Sequence, residues 1–243
     1  MKLIHNFKSP NFNKRKFNKI ELIVIHYTAL ENANVSLKYL SDAKKKVSCH
    51  YLISQNGEIY NLVSEKKRAW HAGVSYWNLQ KDINSCSIGI ELDYSPNYKN
   101  NIFSKKLMSS LIQLLKTIKI KYNISSKNIL GHSDIAPYRK IDPGNRFPWK
   151  KLCKYNLAFS SQYVGKKTTL LVRKWFKRRK IISKKNATLF MLAYIGYDVS
   201  LSIKKKSYYN FLIKNYQNRY LQNSKKVNNF NKTFNFIEKH FCN

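Results

Sequence analysis

Two histidines and one aspartate are the residues of this chain that best fit metal chemistry. His26 follows the apolar run Ile23–Ile25, while His132 and Asp142 lie together in a later segment, residues 131–144. Two imidazoles and one carboxylate leave one position of a tetrahedral zinc open, which is the arrangement of a catalytic site. The pattern therefore predicts zinc bound by these three side chains. Each residue taken alone has another interpretation, as a histidine satisfied in the core or an aspartate that caps a turn.

Glu91 and Lys140 would supply the proton transfer and the positive charge that a hydrolytic metal site needs. Glu91 lies in the apolar run Ile88–Leu92, where burial raises the pKa of a carboxyl group and lets it exchange protons near neutrality. Lys140 precedes Asp142 by two residues, and residues two apart in an extended segment share a face. Its ammonium would then stabilise charge that develops beside the metal. The set predicts a metal-assisted hydrolase, with a buried ion pair for Glu91 and a solvated Lys140 as the alternatives.

Three further side chains indicate either contact with substrate or a scaffold role. His50 lies in a predicted strand, and His71 follows Trp70 directly, two residues before Gly73. The face of an indole suits a sugar ring, and glycine permits a tight turn beside a groove. Trp70 is alternatively a core residue.

Apolar runs separated by turns predict an α/β domain over residues 1–154, with a mixed central β-sheet flanked by helices. Asn56-Gly57 between two apolar runs indicates a hairpin. Leucines at helical spacing predict a helix over Phe103–Tyr122. The predicted strands are Glu21–Thr28, Val47–Ser54, Glu58–Val63, Cys86–Leu92 and Asn128–Gly131, and a short helix is predicted over Val35–Asp42.

A shift in composition after Trp149 predicts a second part of the chain. Residues 155–167 are expected to form a linker, and residues 168–243 a small all-α domain of three helices, near the lower size limit for independent stability. From Tyr155 onward, nineteen Lys or Arg residues stand against two acids. We expect this part to be separable and to make electrostatic contact with an anionic cell-envelope polymer. The predicted helix faces are Leu189, Leu192 and Ile195; Tyr209, Leu212, Tyr216 and Tyr220; and Val227, Phe230, Phe234, Ile237 and Phe241.

The composition fits a protein with a substantial core and an anionic partner. Hydrophobic residues make up 43% of the 243 residues, and the formal net charge is +34. Such a charge favours nucleic acid, an anionic membrane surface or an anionic envelope polymer, although heavy use of lysine throughout the chain explains it equally well. The sequence contains neither a concentrated basic arm nor a known nucleic-acid module, so no specific nucleic-acid binding is predicted.

Cysteine spacing and the first residues bear on the compartment. Cys49, Cys86, Cys153 and Cys242 form no CxxC pair, which predicts free thiols. The N-terminal residues lack the continuous apolar stretch of a secretory signal, and no run approaches the ~20 residues of a membrane span. We expect no membrane span and a cytoplasmic location, with the periplasm or cell envelope reached by another route as the alternative.

Ordered segments over residues 9–152 resemble the zinc-dependent N-acetylmuramoyl-L-alanine amidases of the amidase-2 type, which share a fold with peptidoglycan recognition proteins. Each segment is short, but their number and order make the resemblance specific. The segments are Ser9–Phe12, Ile25–Thr28, Val47–Ile53, Asn56–Tyr60, Arg68–Ser75, Asn84, Ser87–Glu91, Gly131–Pro137, Lys140–Gly144 and Phe147–Trp149.

The resemblance implies zinc bound by His26, His132 and Asp142, proton transfer by Glu91 and stabilisation of the transition state by Lys140. The implied reaction is hydrolysis of the amide between N-acetylmuramic acid and L-alanine in peptidoglycan or muropeptides. The main rival is a non-catalytic peptidoglycan-binding module on the same fold, but such proteins have usually lost a metal ligand. The residues predicted to contact substrate are Tyr27, His50, Trp70, His71 and Asn84.

Two departures from the family pattern concern substrate binding. The C-terminal part is faintly similar to a peptidoglycan-binding three-helix domain, but it has Asn228-Asn229 in place of the usual Asp-Gly turn and is therefore degenerate. Some relatives that recycle anhydro-muropeptides carry an arginine for the peptide carboxylate near the position of Asp82. This departure favours a substrate that is not restricted to anhydro-sugars.

Overall fold

The structure is a computed structural model that describes residues 2–99, 101–159, 166–181, 183–222 and 230–243. These residues contain eight strands and ten α-helices. The strands are β1 (Leu3–Ile4), β2 (Phe12–Lys14), β3 (Leu22–Tyr27), β4 (Tyr51–Ile53), β5 (Ile59–Asn61), β6 (Lys67–Ala69), β7 (Ser87–Leu92) and β8 (Ile129–Gly131). The helices are α1 (Ala33–Ser41), α2 (Ile83–Cys86), α3 (Lys105–Lys121), α4 (His132–Ile135), α5 (Trp149–Lys154), α6 (Lys166–Arg178), α7 (Lys184–Ile195), α8 (Ser200–Lys204), α9 (Lys206–Tyr220) and α10 (Phe230–Phe241).

Six of the strands form one mixed sheet in the order β1-β5-β4-β7-β3-β8. β3 lies between β7 and β8 and runs parallel to both, whereas β4 and β5 form the predicted antiparallel hairpin. β2 and β6 form a separate antiparallel pair. The predicted mixed α/β fold is confirmed. The sequence did not predict β1, β2 and β6, because two or three residues are too few for a readable alternation.

The first face of the sheet is covered by α3. This helix begins after Ser104, whose hydroxyl accepts a hydrogen bond from the Leu107 amide at 3.0 Å. Ile25 of β3 and Ile90 of β7 are fully buried in the same cluster as the leucines of α3. Burial of each such side chain contributes about 1.5–3 kcal/mol. The observed bounds of α3 lie within the helix predicted over Phe103–Tyr122.

The second face has two apolar covers. Leu52 of β4 packs in a cluster with α1, whereas Val24 of β3 and Leu130 of β8 pack with helices of the C-terminal part. Burial on both faces explains why β3 reads as a continuous apolar run. Because side chains alternate along a strand, His26 lies on the same face as Val24.

The C-terminal part contains five helices, α6 to α10, among its described residues, and this corrects the prediction of three. The predicted faces fall on α7, α9 and α10, while Val227 lies outside the described residues. The sequence analysis did not predict α6 or α8. Helix α6 begins at Lys166, inside the predicted linker, and residues 160–165 lie outside the described residues.

The C-terminal helices share a core with the sheet. Phe176, Leu192 and Tyr216 are buried in the same cluster as Val24 and Leu130. Without these helices the part of the second face around Val24 and Leu130 would be exposed to water. The expected separability of the C-terminal part stays a prediction. The boundaries at residues 154 and 168 stay predictions.

The cysteines and the helix lengths agree with the sequence-based expectations. All four cysteines are free, and Cys49 and Cys86 are buried. In the part of the chain that the structure describes, every helix is too short or too polar to cross a bilayer.

Candidate metal centre and active site

The parallel pairing of β3 with β7 places His26 beside Glu91. The two residues are direct partners in the strand register, and such partners project their side chains to the same face. Both lie near the carboxyl ends of their strands, the edge at which open α/β sheets bind ligands. Backbone hydrogen bonds therefore fix the distance between the first imidazole and the candidate base.

Strand β8 brings the second imidazole from the other side of β3. It ends at Gly131, and His132 begins α4 at once. The chain then turns back, and the Ser133 amide donates to the Asp142 carbonyl at 2.9 Å, which joins the two ligand residues of this segment. A Cβ on Gly131 would lie 2.6 Å from the Pro143 ring, so the close approach requires glycine.

Nδ1 of His26, Nδ1 of His132 and Oδ2 of Asp142 converge. The two nitrogens are 3.0 Å apart, and the carboxylate oxygen lies 3.1 Å from that of His132 and 3.3 Å from that of His26. Ligand atoms around a tetrahedral zinc with bonds of about 2.0–2.1 Å are about 3.3–3.4 Å apart. The three side chains thus fit zinc, and they form the one such group of ligand residues found in the described chain.

Two of the three ligand side chains, His26 and Asp142, have pKa shifts that favour the protonation states a cation requires. Burial, and then the neighbouring His132, lower the pKa of His26 to about 4, so its imidazole is neutral at pH 7. Burial by itself would raise the pKa of Asp142, but the charges and hydrogen bonds of His132 and His26 outweigh it and hold that pKa well below its usual range. Neutral imidazole and ionised carboxylate are the metal-binding forms of these groups.

Glu91 is in a position to take up and release a proton near neutral pH. Burial, and then the charge of Asp142, raise its pKa to about 8, and Lys140 opposes the change. Its Oε2 atom is enclosed and lacks a hydrogen-bond partner among the described residues. An enclosed polar atom without a partner costs about 1–3 kcal/mol. Such an atom therefore points to a group of the metal site or substrate that completes it.

A cavity of about 440 Å³ opens over the three ligands and Glu91. This volume lies within the range of small-molecule sites, about 300–1,000 Å³. Lys140 and Arg139 bring positive charge to its wall, and Tyr27 and Trp70 bring aromatic rings. The structure therefore brings Lys140, Tyr27 and Trp70 to the site, while their contact with substrate stays a prediction.

His71 supports the first metal ligand. Its Nδ1 lies 3.0 Å from Nε2 of His26, and its Nε2 lies 3.0 Å from the Ser87 hydroxyl. A hydrogen bond on the far nitrogen of a metal-binding imidazole fixes the orientation of its ring. A Cβ on Gly89 would collide with the His71 ring, so glycine in β7 makes room for it. His71 also borders the cavity, and its predicted contact with substrate stays a prediction.

The structure places His50 and Asn84 in the scaffold beside the site, and their contact with substrate stays a prediction. His50 is fully buried, with Nδ1 accepting from the Gly89 amide at 3.0 Å and Nε2 lying 2.9 Å from the Arg15 guanidinium. Oδ1 of Asn84 accepts from the backbone amides of residues 71 and 72 at 3.0 and 2.8 Å. Both side chains lie outside the cavity wall and are occupied by the backbone.

Several residues at the site were missed by the sequence analysis. Arg139 lines the cavity, donates to the Val74 carbonyl at 2.8 Å and donates to the Ala72 carbonyl, so it fastens the loop after Trp70. Its position directly before Lys140 was the feature of the sequence that could have indicated a place at the site. The cavity wall also includes residues of α1 and of the chain after it, whose types do not indicate a role in binding or catalysis. These residues are Ser36, Tyr39, Leu40, Val47 and Ser48.

Comparison with known proteins decides which family this geometry belongs to. The family model described as Amidase_2, N-acetylmuramoyl-L-alanine amidase, matches residues 16–145, which is more than half of the chain. The chain belongs to the Amidase_2 family. The matched residues include all three candidate metal ligands, Glu91 and Lys140.

Two curated relatives of this Amidase_2 chain are similar over the same part. The N-acetylmuramoyl-L-alanine amidase AmiD of Escherichia coli is 40% identical over 153 residues, which are 58% of this chain and 54% of the relative. The 1,6-anhydro-N-acetylmuramyl-L-alanine amidase AmpD of Haemophilus influenzae is 36% identical over 163 residues, which are 59% of this chain and 87% of the relative. The chain thus spans about half the length of the first relative and most of the second.

A solved structure extends the likeness to the C-terminal helices. AmiD from E. coli, in complex with the substrate anhydro-N-acetylmuramic acid-L-Ala-D-gamma-Glu-L-Lys, has a TM-score of 0.74 at 28% identity. The match covers 92% of this chain and 89% of that chain. The fold of the Amidase_2 part and the helices after it are therefore both similar to that protein.

Replacement of either histidine ligand should remove the metal from this Amidase_2 chain. We expect about one zinc per wild-type molecule, and loss of zinc in His26→Ala and His132→Ala, because two remaining ligands hold a cation far more weakly than three. Plasma mass spectrometry of the dialysed proteins measures the content. The exposed His5 provides the control variant, His5→Ala. Unchanged zinc in both ligand variants would place the metal elsewhere.

Replacement of the candidate base should separate metal binding from turnover. Glu91→Gln keeps the shape of the side chain but cannot accept the proton, so we expect retained zinc and a loss of about 100-fold or more in kcat. Lys140→Met should also retain zinc and slow the reaction through loss of the positive charge. Steady-state kinetics on a soluble muropeptide, with the exposed Lys150→Met as control, measure both. Near-normal turnover of Glu91→Gln would remove Glu91 from proton transfer.

Proposed function

We propose that this chain hydrolyses the amide bond between N-acetylmuramic acid and L-alanine in peptidoglycan or muropeptides, with zinc as its cofactor. The observation that carries the proposal is the convergence of His26, His132 and Asp142 within 3.3 Å, beside an enclosed Glu91 oxygen without a partner among the described residues. A module that only binds peptidoglycan needs neither a complete ligand set nor a base next to it. Membership of the Amidase_2 family supports the same assignment.

The chain's own residues account for the proton transfers of this reaction. Zinc, when bound, supplies Lewis-acid polarisation of the carbonyl and activation of water. Oε2 of Glu91 accepts the proton of the attacking water and passes it to the leaving nitrogen of L-alanine. A pKa of about 8 keeps both protonation states of this carboxyl group within reach near neutrality. The Lys140 ammonium stabilises the negative charge that develops on the carbonyl oxygen.

The cavity wall supports a sugar with an acidic peptide stem as the substrate. The rings of Trp70 and Tyr27 offer apolar faces of the kind that sugar rings stack on. Arg139 adds a second cation beside Lys140, which suits the carboxylates of the stem. Asp82 lies outside this wall, and its carboxylate accepts a hydrogen bond from the Arg68 guanidinium at 2.9 Å. It therefore has no direct means of selecting between intact and anhydro-sugars.

Mass spectrometry of the products tests the reaction and its preferred substrate. The zinc-loaded chain is incubated with soluble muropeptides carrying intact or anhydro-muramic acid, and with intact sacculi. We expect a free peptide that begins with L-alanine and a sugar that carries the lactyl carboxylate, their summed mass exceeding the substrate by one water. Glu91→Gln is the control for contaminating hydrolases. Cleavage at a different bond, or none by the zinc-loaded chain, would contradict the proposal.

The relative rates of hydrolysis of soluble muropeptides and of sacculi bear on the compartment in which the chain acts. We propose that the chain trims soluble fragments in the cytoplasm, and faster turnover of soluble muropeptides than of sacculi is the expected outcome. A preference for sacculi would instead fit the periplasm or cell envelope.

The basic C-terminal part is proposed to add an electrostatic contact with an anionic envelope polymer. From Tyr155 onward the chain carries nineteen Lys or Arg residues and only Asp198 and Glu238 as acids. Of these acids, Glu238 is paired with Arg173 at 2.8 Å. The exposed Lys174 and Arg178 lie one turn apart on α6. Attraction between such charges and a polyanion acts over about 8–10 Å at physiological salt.

Charge reversal on α6 should weaken binding to sacculi. Lys174→Glu combined with Arg178→Glu is expected to lower the bound fraction in a sedimentation assay by about threefold or more at low salt, and added salt should lower binding of the wild type. Lys105→Glu combined with Lys106→Glu, on the exposed start of α3, changes the net charge equally and is the control. Equal losses in both double variants would assign the effect to total charge instead of α6.

A further inference from the structure

The segment of residues 131–143, called here the ligand segment, carries two of the three metal ligands and Lys140. After α4 it contains no regular secondary structure in the described chain until α5. Within the segment, the hydrogen bond from the Ser133 amide to the Asp142 carbonyl joins its beginning to its end. Functional side chains have to be held within about 0.5 Å of their productive positions. Other parts of the molecule must therefore hold this irregular stretch of chain.

Asn215 of α9 holds the middle of the ligand segment. Its side-chain amide nitrogen donates to the Pro137 carbonyl at 2.7 Å and to the Lys140 carbonyl at 3.0 Å. The residue is 4% exposed, so water does not compete for these hydrogen bonds. One amide group thus clamps both ends of the turn that leads into Lys140 and, two residues later, Asp142.

Asp134 connects the start of the ligand segment to α9 and to Tyr197, which lies between α7 and α8. Its Oδ2 accepts from the Gly131 amide at 2.7 Å, directly before His132. Its Oδ1 accepts from the Tyr197 hydroxyl at 2.6 Å. Arg219 of α9 lies 3.3 Å from Oδ2, with both side chains almost fully buried. The Arg219 guanidinium also donates to the Ile129 carbonyl of β8 at 2.9 Å. A buried ion pair with these partners fixes the end of β8 from which His132 projects.

We propose that the C-terminal helices position the metal site, with Asn215 and Tyr197 holding the ligand segment so that His132, Lys140 and Asp142 converge with His26. Neither Asn215 nor Tyr197 lines the substrate cavity, so both act through the segment that they hold. The loss of partners that orient metal ligands typically weakens metal binding or activity 10- to 100-fold. The inference deepens the proposed function and rests on it, but its main readout is the affinity for zinc.

The first test replaces Asn215 in the full chain. Asn215→Ala removes both amide donors, and we expect the zinc dissociation constant, measured by competition with a chromogenic chelator, to rise about 10- to 100-fold. The visible absorption bands of the cobalt-substituted protein should shift, because they report ligand geometry. In the zinc-loaded enzyme kcat should fall about tenfold while KM changes by less than about twofold, as expected when ground-state binding is untouched.

A buried amide on the same helix provides the matched control. Gln217 donates to the Thr233 hydroxyl at 2.7 Å, inside the C-terminal part and away from the ligand segment. Gln217→Ala should lower the melting temperature by an amount similar to Asn215→Ala, because each removes a buried hydrogen-bonded amide. It should leave zinc affinity, the cobalt spectrum and kcat unchanged.

A second pair of variants changes only hydroxyl groups, which keeps the test decisive if Asn215→Ala does not fold. Tyr197→Phe removes the donor to Asp134 and keeps the ring, and it should raise the zinc dissociation constant about three- to tenfold. Its control is Tyr216→Phe, because the Tyr216 hydroxyl lies 2.8 Å from Nδ1 of His240 within the C-terminal part. We expect Tyr216→Phe to bind zinc as the wild type does.

Zinc affinities within twofold of the wild type in both Asn215→Ala and Tyr197→Phe would overturn the inference. Equal weakening in the test variants and their controls would overturn it as well, since this would reflect general loss of stability. A wild-type chain that binds zinc but does not hydrolyse muropeptides contradicts the proposed function alone. In that case the zinc affinities and cobalt spectra still decide the inference.

Discussion

The candidate active site depends on the parallel pairing of β3 with β7 and β8. This pairing sets His26 beside Glu91 in register and brings β8 to the same edge, where His132 follows. Side chains alternate with a period of two along a strand, so a slip of one residue would move His26 to the face covered by α3. Apolar packing on both faces of β3 opposes such a slip. The catalytic geometry is thus fixed by the same contacts that stabilise the core.

The polar groups beneath the site are stabilised by contacts with each other. His26, His71 and Ser87 form a continuous set of hydrogen bonds of 3.0 Å, and Gly89 leaves the space that the His71 ring occupies. Buried imidazoles without partners would destabilise the fold, and burial keeps the pKa of His26 and of His71 below its usual value. Among the described residues that border the cavity, Oε2 of Glu91 is the buried side-chain atom left without a hydrogen-bond partner.

The sequence was sufficient to predict the main strands, α3 and the five residues of the candidate reaction. These features rest on strong local signals, such as the apolar run before His26 and the acid within Ile88–Leu92. Contacts between segments that are distant in the sequence could not be predicted from such local signals. Nothing near His50 in the sequence indicates that Arg15 would lie 2.9 Å away, and Asn84 gives no sign that it caps two backbone amides. A residue type shows which chemistry is available, but its partners are fixed by tertiary packing.

The C-terminal helices share an apolar core with the sheet although their composition differs from that of the preceding residues. Their sequence is basic and helical, which favours a separate bundle, yet the faces predicted as its core also meet Val24 and Leu130 of the sheet. A small helical part gains apolar burial by sharing a core, and the sheet gains the cover that its second face lacks. Through Asn215 and Arg219 the same interface reaches the segment that carries His132 and Asp142. A cation that binds only the folded site stabilises the fold, by about 2.7 kcal/mol at a hundred times its dissociation constant. Zinc at the edge of the sheet would therefore stabilise the packing of helices that do not touch it.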